Sequence, residues 1–144
     1  MSQVRKSVLC VVGTRPEAIK MAPVVRALRR APWFDVRLLV SGQHRDLVGP
    51  ILDFFELTPD VELPPLEPGT STADALAQLT VVLRACLATM RPDVVLAQGD
   101  TTTAAAAALA AAGESVPLGH VEAGLRTYDL EAPFPEELNR RLAG

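Results

Sequence analysis

Each of four apolar runs in this chain ends in groups that can move protons or hold anions. Gly13-Thr14-Arg15-Pro16-Glu17 follows the first, Ser41-Gly42-Gln43-His44-Arg45 the second and Gly99-Asp100-Thr101-Thr102-Thr103 the third; the fourth runs into His120-Val121-Glu122-Ala123-Gly124-Leu125-Arg126-Thr127. Both histidines, His44 and His120, lie in these clusters, together with Asp100, Glu122, Arg15, Arg45 and Arg126. Arginines and helix N-termini suit phosphates, whereas carboxylates with histidine suit sugar hydroxyls and proton transfer. One anionic, polyhydroxylated ligand accounts for all four clusters, and a nucleotide-sugar is the economical choice.

Taken one at a time, the same residues have plainer readings. Thr14 and Glu17 form a T-x-x-E capping box with Pro16 in the first turn, Asp100 is placed to cap an alanine-rich helix, and His120 suits a satisfied core position. Glu122 fits such a reading least well, because a carboxylate closing a buried strand is costly unless paired or functional. Other chemistries lack their motifs. There is no GxGxxG after the first run, no GxxxxGK[ST], no G-x-S-x-G elbow and no zinc-type spacing around His44, Asp100, His120 and Glu122.

The elements that must position these groups follow from periodicity. Ser7–Gly13, Phe34–Gly42, Asp93–Gly99 and Val116–Glu122 read as strands buried on both faces. The stretches VVRALRRA, TADALAQLTVVLRACLATMR and Ala104–Ala112 read as the helices before the second, third and fourth strands. Strand alternating with helix implies an α/β, doubly wound parallel sheet in which ligands bind outside the carboxyl ends of the strands. Leu57–Thr72 holds four of the twelve prolines and reads as a surface connection, with Val61–Leu63 as a short edge strand stopped by Pro64 and Pro65. Pro23 is expected to break the first helix, making Gly13–Ala22 a stiff turn from which Arg15 and Lys20 project toward the strand ends. A last helix begins at about Pro135.

The chain has 144 residues, 49% of them hydrophobic, the size of one domain with a real core. A net charge of -3 with mixed signs offers no basic face, so nucleic acid and anionic membrane are poor expected partners. Cys10 and Cys86 sit in apolar segments without CxxC spacing and read as buried thiols of a reducing compartment. SVLCVVG is too short and too soon interrupted by charges for a signal peptide or membrane span, so a cytoplasmic location is expected.

The segments GTRPEAIKMAPVV, SGQHRDLV, QGDTTTAAA and GHVEAGLRTYDLEAPFPEELNRRLAG resemble the successive signatures of the bacterial non-hydrolysing UDP-N-acetylglucosamine 2-epimerases. The resemblance runs from Gly13 to Gly144 and implies a Rossmann-like domain, residues 1–144, forming the N-terminal half of a two-domain glycosyltransferase-B architecture. It implies interconversion of UDP-GlcNAc and UDP-ManNAc by elimination and re-addition of UDP, with no added cofactor and no metal. Asp100, Glu122 and Glu136 match the family's catalytic carboxylates. Arg15 and Lys20 match its cations near the substrate phosphates, and His44 and Arg45 its GQHR loop. Gln43, His44 and Glu136 fall near its regulatory UDP-GlcNAc site, while Thr70 stands where many members have glutamine. His120 and Arg126 are expected to support Glu122. The implied partners are UDP-GlcNAc as substrate and effector, a second Rossmann-like domain in cis or in trans, and a homodimer mate. The alternative is a truncated or split domain that binds a nucleotide-sugar weakly and catalyses nothing.

Overall fold

The computed structural model describes residues 4–144. Ten elements alternate along them: β1 (Lys6–Val12), α1 (Arg15–Arg30), β2 (Phe34–Val40), α2 (Arg45–Phe54), β3 (Val61–Glu62), α3 (Thr72–Met90), β4 (Val94–Gln98), α4 (Thr102–Gly113), β5 (Leu118–Val121) and α5 (Glu136–Ala143). The strands form one parallel sheet in the order β3-β2-β1-β4-β5, with β1 Cys10 opposite Leu38 of β2 and Leu96 of β4. The strand order reverses beside β1, so the crevice between β1 and β4 is where an open α/β sheet binds ligands. The expected doubly wound sheet is present, with a fifth strand: two residues of the proline-rich connection pair with Leu39 and Val40 at the edge before Pro64 stops them.

Strand periodicity divides the core. Leu9 and Val11 of β1 pack with Leu79, Leu83 and Leu87 of α3 and the buried alanines of α4, while Val8, Cys10 and Val12 pack with Met21, Ala22 and Val25 of α1 and Val48 and Leu52 of α2. Alternate residues therefore serve opposite faces of the sheet. The alanines of α4 let that helix lie close to its neighbours: Ala104–Ala108, Ala110 and Ala111 are all buried. α3 is long and apolar enough to cross a membrane by length and composition, with mean hydropathy 1.3. Its Ala75, Leu79, Leu83 and Leu87 are nonetheless buried, the last three in the core against the sheet. Cys10 is buried and its pKa is pushed up to about 12 by desolvation; Cys86 is half-buried, and both thiols are free.

The stiff-turn expectation for Gly13–Ala22 is corrected. α1 runs unbroken through Pro23 to Arg30. Ala18, Met21 and Ala22 before the proline and Val25 after it are buried on the same core, so packing outweighs the one backbone hydrogen bond that proline cannot donate. Pro23 itself is exposed. Pro23→Ala is therefore expected to raise stability by about 1 to 3 kcal/mol, read as a higher urea midpoint at unchanged m.

Two glycines let the strand ends converge. A Cβ on Gly13 would lie 2.1 Å from Thr103 Oγ1 and 2.2 Å from Ser41 Oγ, and one on Gly42, at φ +84°, would meet the Pro64 carbonyl oxygen at 2.2 Å. The Ser41 and Thr103 hydroxyls share a hydrogen bond of 2.7 Å beneath Gly13.

Candidate functional site

The carboxyl end of β1 enters α1 through Gly13 and Thr14. Glu17 turns back there: its Oε2 accepts from the Gly13 and Thr14 amides at 2.8 and 2.7 Å, the carboxylate side of the expected capping box. Its Oε1 accepts at 2.5 Å from Thr101 Oγ1, which in turn accepts from the Ala104 amide as the N-cap of α4. Glu17 is fully buried and thereby clips the N-termini of α1 and α4 together. Burial raises its pKa, opposed by these hydrogen bonds.

Thr101, not Asp100, is the helix cap, so the carboxylate of Asp100 is spare. It accepts from Arg140 Nη2 of α5 at 2.5 Å, while the Asp100 backbone carbonyl accepts from Asn139 Nδ2 at 2.9 Å. One turn earlier on α5, Glu136 shares a cleft of about 370 Å³ with Asp100, Thr14, Gln43, His44 and Thr101. Glu136 Oε2 is buried without a hydrogen-bond partner. A second cavity of about 340 Å³, between the β2–α2 turn and the segment leading into α3, shares Gln43, His44, Thr72 and Thr102 with that cleft and adds Glu67 and Thr70. Gln43 is fixed by its Oε1, which accepts from the Thr103 amide at 3.0 Å and from Thr103 Oγ1 at 2.6 Å.

Glu122 follows β5 in the left-handed region at φ 60°. Lys20 of α1 and Gln98 Nε2 of β4 both donate to its Oε2, the latter at 2.8 Å, and the Lys20 ammonium foremost holds its pKa below the usual carboxylate range. The site thus joins anionic oxygens to cations on separate elements: Asp100 with Arg140 and Glu122 with Lys20.

A family described as UDP-N-acetylglucosamine 2-epimerase matches residues 26–144. The chain belongs to the UDP-N-acetylglucosamine 2-epimerase family. It is 49% identical over 137 residues to the UDP-N-acetylglucosamine 2-epimerase of Escherichia coli K12, a match spanning 95% of this chain and 36% of that protein. The crystal structure of the Neisseria meningitidis UDP-GlcNAc 2-epimerase bound to UDP-GlcNAc superposes with TM-score 0.89 at 44% identity, over 95% of this chain and 38% of that one. The Methanocaldococcus jannaschii enzyme in complex with UDP-GlcNAc and UDP gives TM-score 0.78 at 34% identity, over 95% and 37%. The chain spans a little over a third of the length of these epimerases.

Within the epimerase fold the other expected residues are distributed as follows. Arg15 opens α1 and is exposed, and His44, also exposed, occupies the N-cap position of α2. Arg45 lies outside the cleft, ion-paired to Glu62 at 3.0 Å. His120 lies in β5, where its Nε2 donates to the Gly99 carbonyl at 2.6 Å; a carbonyl only accepts, so that nitrogen carries the proton. Arg126 reaches Glu137 rather than Glu122, with Nε and Nη2 at 2.9 and 2.7 Å from Glu137 Oε1.

The sequence pattern does not single out Glu137, Arg140, Asn139 or Thr101, and it shows Glu17 only as a cap. Glu137 carries a signal that was available, since Glu137 and Arg140 stand at i,i+3 beside an arginine-bearing loop. Arg126 and the Thr127 and Tyr128 amides hold its pKa down to about 2. The folded value lies below the ordinary carboxyl value of 4.5, so the stability Glu137 contributes is complete above about pH 4.5 and is lost as pH falls toward 2. Urea melts should therefore show the wild-type advantage over Glu137→Gln shrinking between about pH 5 and about pH 3.

Proposed function

We propose that this chain supplies the N-terminal wall of the active-site cleft of an enzyme interconverting UDP-GlcNAc and UDP-ManNAc in the cytoplasm. The observation that supports this best is that Asp100 and Glu136 share one cleft at the switch point while Glu122, at the next strand end, is held by Lys20, in a chain of the epimerase family. Inversion at C2 is difficult because that proton is not beside a carbonyl. Elimination avoids the difficulty: a carboxylate takes the C2 proton, the C1–O bond breaks, UDP leaves with the bonding electron pair and a C1=C2 double bond forms. Re-addition of UDP at C1, with protonation of C2 from the other face, gives the epimer.

The chain's own groups suit these steps. Lys20 is able to exchange Glu122 for a phosphate oxygen, which removes the cation depressing the carboxylate's proton affinity as substrate arrives. Arg15, exposed at the start of α1, is the second cation on the phosphate side. The amides of Gly13 and Thr14, just before α1, already serve Glu17, so on this side of the cleft the phosphates meet the Lys20 and Arg15 side chains rather than those two amides. The second cavity, across Gln43 and His44, is the place for a regulatory UDP-GlcNAc.

A second Rossmann-like domain completes the cleft. The loop bordering it exposes Leu125, Tyr128, Leu130 and Phe134, an apolar edge of the kind another domain covers. A second copy of the chain has a separate apolar surface at Val81 and Val82 of α3.

The test is incubation with UDP-GlcNAc in D2O, the chain alone and the chain supplied with the second domain of a relative, followed by NMR. The complemented sample is expected to form UDP-ManNAc with deuterium at C2, and the isolated chain to form none. Epimerisation without deuterium uptake would overturn elimination, and turnover by the isolated chain would overturn the need for a second domain.

A further inference from the structure

Glu136 and Glu137 are neighbours on α5 with opposite fates. Glu136 borders the cleft, whereas Glu137 has no exposure at all and points into the loop between β5 and α5. Both oxygens of Glu137 are engaged. Oε1 accepts from Arg126 Nε and Nη2 and from the Tyr128 amide at 3.2 Å; Oε2 accepts from the Thr127 amide at 3.0 Å and lies 3.7 Å from Arg140 Nη1. The other terminal nitrogen of Arg140 is the one that donates to Asp100.

We propose that Glu137 is a positioning residue that sets two of the cleft carboxylates from one buried anion, Asp100 through Arg140 and Glu122 through the turn that Arg126, Thr127 and Tyr128 hold in place. A guanidinium is planar, so an arginine shared between two carboxylates has its plane fixed by the one that cannot move. Glu137 is that one: it is buried, with five donors around it, while Asp100 is partly open to solvent. Arg140 thereby reaches Asp100 in one orientation. On the other side, the chain between Glu122 and Arg126 is short and contains Gly124 at φ +92°, so anchoring its far end to Glu137 limits where Glu122 can go. The consequence for catalysis rests on the epimerase reading above; the positioning does not.

The test uses NMR on this chain, without ligand, in Glu137→Gln, Glu137→Asp and Arg140→Gln variants whose folding is checked by thermal melts. In Glu137→Gln, the Asp100 side-chain carboxyl resonance and the Arg140 guanidinium resonances are expected to move, and the Thr127 and Tyr128 amides to exchange about tenfold faster or more. Glu137→Asp, which keeps the charge, should return the Asp100 and Arg140 resonances toward their original positions. Arg140→Gln should shift Asp100 while leaving Thr127 and Tyr128 protected, and it carries the test if Glu137→Gln does not fold. An Asp100 resonance unchanged in both Glu137→Gln and Arg140→Gln, or in Arg140→Gln alone if the other is unfolded, would reduce Glu137 to a filler of the loop and overturn the proposal. Turnover plays no part in these readings, so a failed epimerase assay and a failed positioning test are separate results.

Discussion

Asp100→Asn is expected to lower the interconversion of UDP-GlcNAc and UDP-ManNAc by about 100- to 10,000-fold in the complemented protein, with little change in its melting temperature. The two effects separate because Asp100 is held twice. Its backbone carbonyl is bound by Asn139, and its neighbour Thr101 is pinned to Glu17, so the backbone at the end of β4 does not depend on the Asp100 side chain. The carboxylate itself is partly solvated, which limits what its ion pair with Arg140 contributes to stability. Asparagine keeps the shape and an oxygen for Arg140 but cannot take or give the proton that elimination or re-addition requires. Glu122→Gln should behave alike in rate. Glu136→Gln should cost least in stability, because Glu136 Oε2 has no hydrogen-bond partner to lose. Initial rates from NMR and thermal melts on the same samples decide the matter: retention of more than about a tenth of the parent rate in Asp100→Asn would remove it from the chemistry.

Much of this arrangement is legible in the sequence because it depends on local pattern. Buried parallel strands are continuous apolar runs, so SVLCVVG and DVVLAQG announce themselves, and the polar residues after each must lie on the ligand edge of the sheet. The T-x-x-E box similarly predicted that Glu17 would reach the Thr14 amide. What could not be read is what depends on residues far apart in sequence. Nothing near Glu17 shows that Thr101 will donate to it, and nothing near Glu122 shows that Lys20 and Gln98 will. The expected break at Pro23 failed for the same reason: local rules charge proline for a lost hydrogen bond but do not see Met21 and Val25 buried on either side of it. Arg126 is expected beside Glu122, four residues away in sequence, whereas the loop folds it onto Glu137 of α5. The sharing of Arg140 between Asp100 and Glu137 is likewise a product of tertiary packing.

Glu17→Ala is expected to destabilise the chain by about 3 kcal/mol or more, the largest single loss among the residues of the clip. Alanine leaves two buried amides, Gly13 and Thr14, and the Thr101 hydroxyl without their acceptor, and it removes the link between α1 and α4 at the switch point. Glu17→Gln should cost far less near neutral pH, because an amide oxygen still accepts from the two backbone donors and no charge need be buried. The two substitutions also differ in pH dependence. Burial raises the folded pKa of Glu17 above the ordinary carboxyl value of 4.5, so its stabilising contribution is greatest below that pH and declines as pH rises through the folded value. The stability deficit of Glu17→Gln relative to wild type should therefore shrink as pH rises from about 4 toward 8, the reverse of what the depressed Glu137 produces. Urea melts across that range would expose an error in the assignment: a deficit that grows with pH would mean that the clip holds the ionised form more tightly than burial penalises it. Because Thr101 directly follows Asp100, the same clip fixes where the β4 carboxylate starts, so Glu17→Ala should depress turnover beyond what its lowered stability explains, while Glu17→Gln should leave most of it.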